Sequence, residues 1–367
     1  MGSARKKKNP RKHYKVLHEV GRGTFGVVCK AIKKKTGEEV AIKNIKLVHK
    51  IHEGVSTSAI DEIRIMQELH HPNVLSIHEV FSPREGTLSL VLDFIPMDME
   101  MIIKAKDMTS DKYVPMPSED IKAYMQMFLR GINACHQNFV LHRDLKPANL
   151  LLSANGVLKL CDFGLARTYG SPNAKFSPQA VTLWYRPLEM LLGADRYGPA
   201  VDMWGVGCIF AEMLLRNPLF PTGRGATDVD QVCQIVRCMG APTERNWPGF
   251  DQLPILLKFQ QIPPTPLARV IPAAPKDALD LLDKLLSYDP NKRISAEEAL
   301  KHEYFRNAPA PASTAQIADH ISVLIKKPSS QVSSTLPSSE TMPGESPYKP
   351  SSKRSAAEAG LASPNYG

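Results

Sequence analysis

The run His142-Arg143-Asp144-Leu145-Lys146-Pro147-Ala148-Asn149 gathers an acid, a base and an amide in one short loop, and thirteen residues after Asn149 the chain reads Asp162-Phe163-Gly164. These residue types at this spacing suit phosphoryl transfer. That reaction asks a protein for an acceptor hydroxyl held in line, a place for its proton to go, and positive charge on the phosphates. Asp144 is placed to take the proton and Lys146 to steady the transferring group, while Asn149 and Asp162 offer the oxygen ligands that Mg²⁺ prefers. One Arg-Asp pair beside a Leu-rich strand would read as an ordinary surface ion pair; two motifs in register do not.

The elements that must position these groups lie upstream. Gly21-Arg22-Gly23-Thr24-Phe25-Gly26-Val27-Val28 is a glycine-rich loop whose backbone N–H groups can approach phosphates. The same spacing opens dinucleotide-binding folds, where the glycines lead into a helix. Here Val27, Val28, Ala31 and Ile32 continue as a strand, and a turn at Gly37 leads to Val40-Ala41-Ile42-Lys43, a strand that carries a phosphate-pairing lysine. Lys43 needs a carboxylate to hold it. The following segment, read as a helix over 54–69, supplies Glu62, with Ile60, Ile63, Met66 and Leu69 repeating at helical spacing as its buried face. Alone, Glu62 would read as a solvated helix carboxylate; beside Lys43 and Asp162 it is the expected ion-pair partner.

On these motifs the chain resembles a eukaryotic protein kinase, and specifically a cyclin-dependent kinase, over about residues 14–305. Ser56-Thr57-Ser58-Ala59-Ile60-Asp61-Glu62-Ile63 is similar to the cyclin-contacting helix of that family, Thr182-Leu183-Trp184-Tyr185-Arg186 to its activation-segment end, and Val201-Asp202-Met203-Trp204 to its central helix. Mitogen-activated kinases share the last two but not the first. Stretches from Leu92 to Lys104, Asn155 to Leu160, Gly170 to Asn173 and Tyr304 to Asn307 resemble the CDK-activating branch, the kinase subunit of the transcription factor complex TFIIH.

The resemblance implies an α+β, bilobal protein-kinase fold with a small β-rich N-lobe and a larger helical C-lobe. It implies ATP and Mg²⁺ as cofactors and a cyclin, cyclin H-like, as partner, with a RING-type assembly factor and TFIIH beyond it. The substrates would be protein serines and threonines, those of the RNA polymerase II tail among them. Asp144, Lys146, Lys43 and Glu62 are the implied catalytic residues, and Asn149 and Asp162 the metal ligands. Besides the glycine-rich loop, Val20, Val28, Ala41 and Leu151 would sandwich the adenine, Asp93 and Ile95 pair its edge through the hinge backbone, and Asp98 meet the ribose. Leu92 matches the gatekeeper, and Cys161 would line the pocket. Asp202 is expected to anchor the catalytic loop, and Glu189 to form a buried ion pair with Arg293. Val181 and Arg186 would shape a pocket for proline after the acceptor. Glu62 is expected to reach Lys43 only when a cyclin pushes its helix inward.

Three positions depart from the family pattern. Pro187-Leu188-Glu189 stands for the usual Ala-Pro-Glu, which biases Arg186 toward extended backbone. Asp61 stands where relatives carry an arginine that joins Arg143 and Arg167 around an activation-loop phosphate; Ser177 and Ser171 are the candidate phosphorylation sites. Phe25 replaces a tyrosine used for inhibitory phosphorylation, which leaves only Thr24 there.

Composition bounds the rest. The 367 residues, 43% hydrophobic, can bury a large core or two lobes, and the net charge is +9. Arg5, Lys6, Lys7, Lys8, Arg11, Lys12 and Lys15 precede the first acid, Glu19, and without these seven the net charge falls to +2. Direct nucleic-acid binding by a folded face is therefore not expected. The arm itself could serve nuclear import or phosphate-rich contacts, or be a solvated tail. No segment reaches the ~20 apolar residues of a membrane span. The six cysteines lack a C-x-x-C pair, which fits reduced thiols in nucleus or cytosol. The expected organisation is a disordered basic arm over 1–13, a kinase domain over 14–305 (N-lobe 14–94, hinge 95–97, C-lobe 98–305) and a Pro/Ser-rich disordered tail over 306–367. Within that tail, 317–325 is apolar enough for a short docking helix. A different proline-directed cyclin-dependent kinase is the alternative. A pseudokinase scaffold would lack Lys43, Asp144 or Asp162, and all three are present.

Overall fold

The computed structural model describes residues 10–23, 26–46, 57–84, 86–106, 111–169, 182–255, 257–259 and 262–325. Its N-terminal lobe is an antiparallel sheet of β1 (Tyr14–Gly23), β2 (Gly26–Lys33), β3 (Glu39–Lys46), β4 (Ile77–Arg84) and β5 (Thr87–Asp93), with α1 (Thr57–Glu68) between β3 and β4. The strand order is β1-β2-β3-β5-β4. Alternation along β3 decides what faces what. Val40 and Ile42 join Tyr14, Ala31, Phe81 and Val91 in a small outer cluster. Ala41 and Ile45 point the other way, into the main core with Leu90, Leu92, Ile65 and Met66 of α1, and Leu69 just after it. Lys43, between Ala41 and Ile45 in this two-residue period, is thereby aimed at α1. The buried stripe on that side is Glu62, Ile65, Met66 and Leu69, while Ile63 is only half-buried. Met66 and Leu69 of the expected face are in this stripe and the Ile60 side chain lies outside the description; Glu62 itself occupies an inward position, three residues before Ile65. At Gly26 a Cβ would lie 1.9 Å from the Asn44 carbonyl oxygen, so only glycine lets β2 approach β3 there.

After β5 the chain passes through β6 (Met97–Asp98) into α2 (Met99–Lys104), which the Asp98 side chain caps by accepting the Met101 N–H at 2.8 Å. The C-terminal lobe is built on α3 (Ser118–Gln137) and α5 (Ala200–Leu215). Between them lie the short strands β7 (Val140–Leu141), β8 (Leu150–Leu152), β9 (Leu158–Leu160) and β10 (Arg167–Thr168), followed by α4 (Leu188–Leu191). β6, β8 and β9 form one small sheet, and β7 pairs with β10. Helices α6 (Asp228–Met239), α7 (Leu267–Val270), α8 (Lys276–Leu285) and α9 (Ala296–Leu300) complete the lobe. Nearly every residue of α5 is buried, as befits a helix apolar all round. Glu189 and Arg293 form the expected buried pair, bidentate at 2.7 and 3.1 Å. Removing one partner of such a pair typically costs about 3–5 kcal/mol. All six cysteines are free thiols. No helix among the described residues is long and apolar enough to cross a membrane.

Both ends depart from the expected organisation. Pro10–His13 form a 3-10 turn, and His13 accepts the Lys34 N–H at 2.9 Å, so the end of the basic arm is built into the β2–β3 corner; residues 1–9 lie outside the description. The segment after Phe305 is not a disordered tail up to residue 325: it packs on the C-lobe and ends in α10 (Thr314–Ile325), which contains the short helix expected over 317–325. Proline spacing suggested disorder, but Ile317 and Ile321, one turn apart, are buried, and each contributes about 1.5–3 kcal/mol over an exposed side chain. Residues 326–367 lie outside the description.

One buried acid sets a pH dependence. Glu212 on α5 accepts the Tyr185 hydroxyl at 2.8 Å, and burial pushes its pKa from 4.5 up to about 7. A carboxyl whose pKa is raised in the fold favours the native state most when protonated. That contribution is therefore complete below pH 4.5 and lost as the pH rises toward about 7. Chemical denaturation of Glu212→Gln between pH 5 and 7 should show a flatter decline in stability than wild type; identical slopes would exclude Glu212 as the source.

Candidate active site

Lys43 lies between two carboxylates brought from different parts of the chain. Its Nζ donates to Glu62 Oε1 on α1 at 2.7 Å and to Asp162 Oδ1 at 2.8 Å. Burial opposes charge on Lys43, but Asp162 and Glu62 outweigh it and its pKa rises. Burial likewise opposes ionisation of Asp162, yet Lys43 outweighs it and holds that carboxyl below its ordinary value. Glu62 goes the other way: burial pushes its pKa up despite Lys43, and its Oε2 is buried with no hydrogen-bond partner. The pair is closed in this structure, where the inward stripe of α1 seats Glu62.

Asp144 is held from three directions. Thr182 Oγ1 donates to its Oδ1 at 2.9 Å, Lys146 Nζ to Oδ2 at 2.8 Å, and Asn149 Nδ2 to Oδ2 at 3.1 Å. Asn149 Nδ2 also donates to the Asp144 carbonyl at 2.7 Å, which leaves the amide oxygen as the group to offer a ligand. The loop carrying these residues hangs on Asp202, a buried carboxylate of α5. It accepts the His142 N–H and the Arg143 N–H at 2.9 Å each and pairs with His136 Nε2 at 2.9 Å. Those contacts outweigh burial and hold the Asp202 carboxyl below its ordinary value. His142, fully buried, ties this loop to the Asp162 segment: its Nε2 bonds the Cys161 carbonyl at 2.9 Å, and its ring meets the Phe163 ring edge-on with centroids 5.0 Å apart. Arg143 and Asp162 both have positive φ, 65° and 63°, a conformation that non-glycine residues adopt only under surrounding constraint.

The proposed nucleotide residues fall on adjoining elements. Ala41 pairs with Leu92, Val28 with Lys43, and Asp98 with Leu151 in the strand registers. Val20 is exposed, Ala41 and Leu92 are buried, and Val28, Ile95, Cys161 and Leu151 are half-buried. Burial raises the pKa of both Asp98 and the Cys161 thiol. Gly21, Arg22, Gly23, Gly26 and Val27 form the β1–β2 corner, with Arg22 paired to Glu19 at 2.9 Å. Thr24, Phe25, Val181, Ser171 and Ser177 lie outside the described residues, and so does the Asp61 side chain. Arg186 has the extended backbone expected before Pro187, φ −84° and ψ 127°, and binds Asp228 of α6 at 2.7 Å.

Sequence reasoning missed three contributors. Thr182, noted only as part of the activation-segment end, reaches Asp144. His142, the first residue of its motif, bridges to Cys161. The Asp93 side chain joins both lobes, accepting His78 Nε2 of β4 at 2.6 Å and Lys159 Nζ of β9 at 2.8 Å. A histidine and a lysine separated by some eighty residues carry no local signal of such a meeting.

A two-lobed fold with a lysine held by a helix carboxylate and a second acid, beside an Asp-Lys-Asn loop, is that of a protein kinase, and the protein kinase domain family matches residues 14–305. Cyclin-dependent kinase 7 of Dictyostelium discoideum is 48% identical over 295 residues, covering 80% of this chain and 79% of that one. Cyclin-dependent kinase 7 of Xenopus laevis is 46% identical over 82% of this chain and 83% of its own length. A chain in the structure of the CAK complex from Chaetomium thermophilum bound to ATP-γ-S superposes with a TM-score of 0.75 at 38% identity, covering 83% of this chain and 94% of that one. The chain belongs to the protein kinases and, within them, to the cyclin-dependent kinases.

Asp202→Ala should leave two buried N–H groups of the loop unpaired, at about 1–3 kcal/mol each. The expected result is a kcat roughly 10²-fold lower, from misplacement of Asp144, with KM for ATP little changed. Steady-state kinetics on the folded variant check this; an unchanged kcat would show that Asp202 does not position the loop.

Proposed function

We propose that this chain is the catalytic subunit of a CDK-activating kinase, a cyclin-dependent serine/threonine kinase that moves the γ-phosphate of ATP to protein hydroxyls. The observation that carries the reading is Lys43 clamped between Glu62 and Asp162 while Asp144 stands ready among Thr182, Lys146 and Asn149. The likeness to a chain of a CAK complex bound to ATP-γ-S supports both the branch and the nucleotide.

In this reading Lys43 pairs with the nucleotide phosphates and Glu62 keeps its ammonium in place. Asp144 accepts the proton of the substrate hydroxyl, and the hydrogen bond from Thr182 aims one of its oxygens. Lys146 steadies the group in flight, and the apolar faces of Val20, Val28, Ala41 and Leu151 enclose the adenine. Mg²⁺ would be held by the Asn149 amide oxygen and the Asp162 carboxylate. No cluster of three or more His, Cys, Asp or Glu suited to a metal exists among the described residues, which fits an ion that takes its other ligands from phosphate and water. When bound, it supplies positive charge to the phosphates as charge develops on them.

A cyclin is the expected partner because the segment carrying Glu62 resembles the cyclin-contacting helix of the family and the relatives are cyclin-dependent kinases; its role in this reading is to press α1 inward so that Glu62 meets Lys43. A RING-type assembly factor, TFIIH, nuclear residence and the RNA polymerase II tail as substrate belong to the same reading, supported by the likeness to cyclin-dependent kinase 7. Ser177 and Ser171 are the proposed phosphorylation sites.

Two experiments test it. In the cyclin-bound protein, Asp144→Asn should keep ATP binding and lose about 10²–10⁴-fold in turnover, the range expected for loss of a general base; near-wild-type turnover would remove Asp144 from that role. Matched peptides with proline or alanine after the acceptor serine should differ in kcat/KM in favour of proline, and equal rates would count against the proline-directed substrate class.

A further inference from the structure

The kinase family domain ends at residue 305, yet the next twenty residues are built into the C-lobe. The Asn307 carbonyl accepts Lys122 Nζ at 2.8 Å, a lysine that is itself buried and stacked 4.8 Å over the Tyr304 ring. The Ala312 N–H donates to the Glu119 carbonyl at 2.9 Å, fastening the segment to the start of α3. Ser313 and Gln316 then cap α10 reciprocally, side chain to backbone, at 3.3 and 2.9 Å. On α10, Ile317 and Ile321 are buried in the main core, and His320 Nδ1 lies 2.8 Å from the buried carboxylate of Asp120.

The start of α10 lies against the turn that joins β8 to β9. Gly156 in that turn has φ +78°, and a Cβ there would lie 2.1 Å from the Thr314 carbonyl oxygen. The two strands behind the turn are those the nucleotide site stands on: Leu151 of β8 pairs with Asp98, and Leu160 of β9 runs directly into Cys161 and Asp162.

We propose that residues 306–325 are an intramolecular strap that seats the β8–β9 turn against α3 and so positions the floor of the nucleotide site. Its residues act through the hairpin and touch no substrate. The nucleotide half of this inference rests on the kinase reading above; the mechanical half does not.

The test uses the full chain bound to its cyclin. The double variant Ile317→Asp, Ile321→Asp lifts the strap, and Gly156→Ala is made in both wild type and that background. The strained φ at residue 156 is present in both backgrounds, whereas the clash with Thr314 exists only while the strap is seated. Lifting the strap should lower Tm by about 3–6 °C, speed proteolysis within 306–325 and weaken affinity for an ATP analogue severalfold. Gly156→Ala should do the same in wild type and add far less in the lifted background. Fully additive effects, or unchanged nucleotide affinity with the strap demonstrably cleaved faster, would overturn the proposal. Should the double variant fail to fold, His320→Ala and Gly156→Ala singly and together give the same comparison. Tm and proteolysis need no catalysis, so an inactive wild-type enzyme would overturn the kinase reading while leaving the strap to be judged.

Discussion

The ammonium of Lys43 is the point on which the two lobes agree. It is nearly buried, so its charge is tolerated only while carboxylates from α1 and from the Asp162 segment are both in place. Each partner arrives by a different periodicity. The two-residue alternation of β3 turns Lys43 to the side of the sheet that Ala41 and Ile45 bury, and the 3.6-residue period of α1 puts Glu62 in line with Ile65, Met66 and Leu69. Asp162 reaches the same point from the C-lobe through a left-handed backbone turn. Burial opposes ionisation of both acids and Lys43 favours it; the Asp162 carboxyl lies below its ordinary value and Glu62 above.

Below that point, order is imposed by one buried carboxylate. Asp202 stands on α5, a helix buried along nearly all its length, and receives the backbone N–H groups of His142 and Arg143. Holding the backbone at His142 and Arg143 allows the positive φ at Arg143, which would otherwise relax, and places Asp144 where Thr182, Lys146 and Asn149 converge. His142 carries the same constraint to Cys161 and Phe163. The strain at Arg143 and at Asp162 thus lies at the two ends of a short hydrogen-bonded path, each end fixed by groups outside its own segment.

What was legible in the sequence was what depends on local order. The Asp144, Asn149 and Asp162 motifs, the glycine-rich corner and the strand bearing Lys43 announce themselves by spacing, and the Glu189–Arg293 and Asp202 contacts followed from family likeness. On α1, Met66 and Leu69 of the expected face are buried, but Glu62 and Ile65 are buried with them while Ile63 is only half-buried, because a buried acid looks polar to a periodicity count. The segment after Phe305 was legible in part: the apolar run 317–325 announced a helix, found as Thr314–Ile325, but the prolines at 309 and 311 hid that the whole stretch to 325 packs on the C-lobe, in a groove assembled from distant parts of the chain. The meeting of His78, Asp93 and Lys159 was invisible on the same grounds: it depends on two lobes closing, not on neighbours in sequence.

That last contact shows how the lobes are joined. The outer cluster of the N-lobe holds six buried side chains, while the main core runs from the inner face of the sheet through α3 and α5 to α10. Val28 of the glycine-rich corner and Leu145 and Phe163 beside Asp144 and Asp162 all pack on the larger core. Between the lobes the Asp93 carboxylate, about a third exposed, takes His78 from one side and Lys159 from the other. Ion pairs so open to water contribute only ~0–1 kcal/mol, too little to weld the lobes together. Lys159 sits three residues before Asp162, so this one side chain links the end of β5 to the segment that carries Asp162.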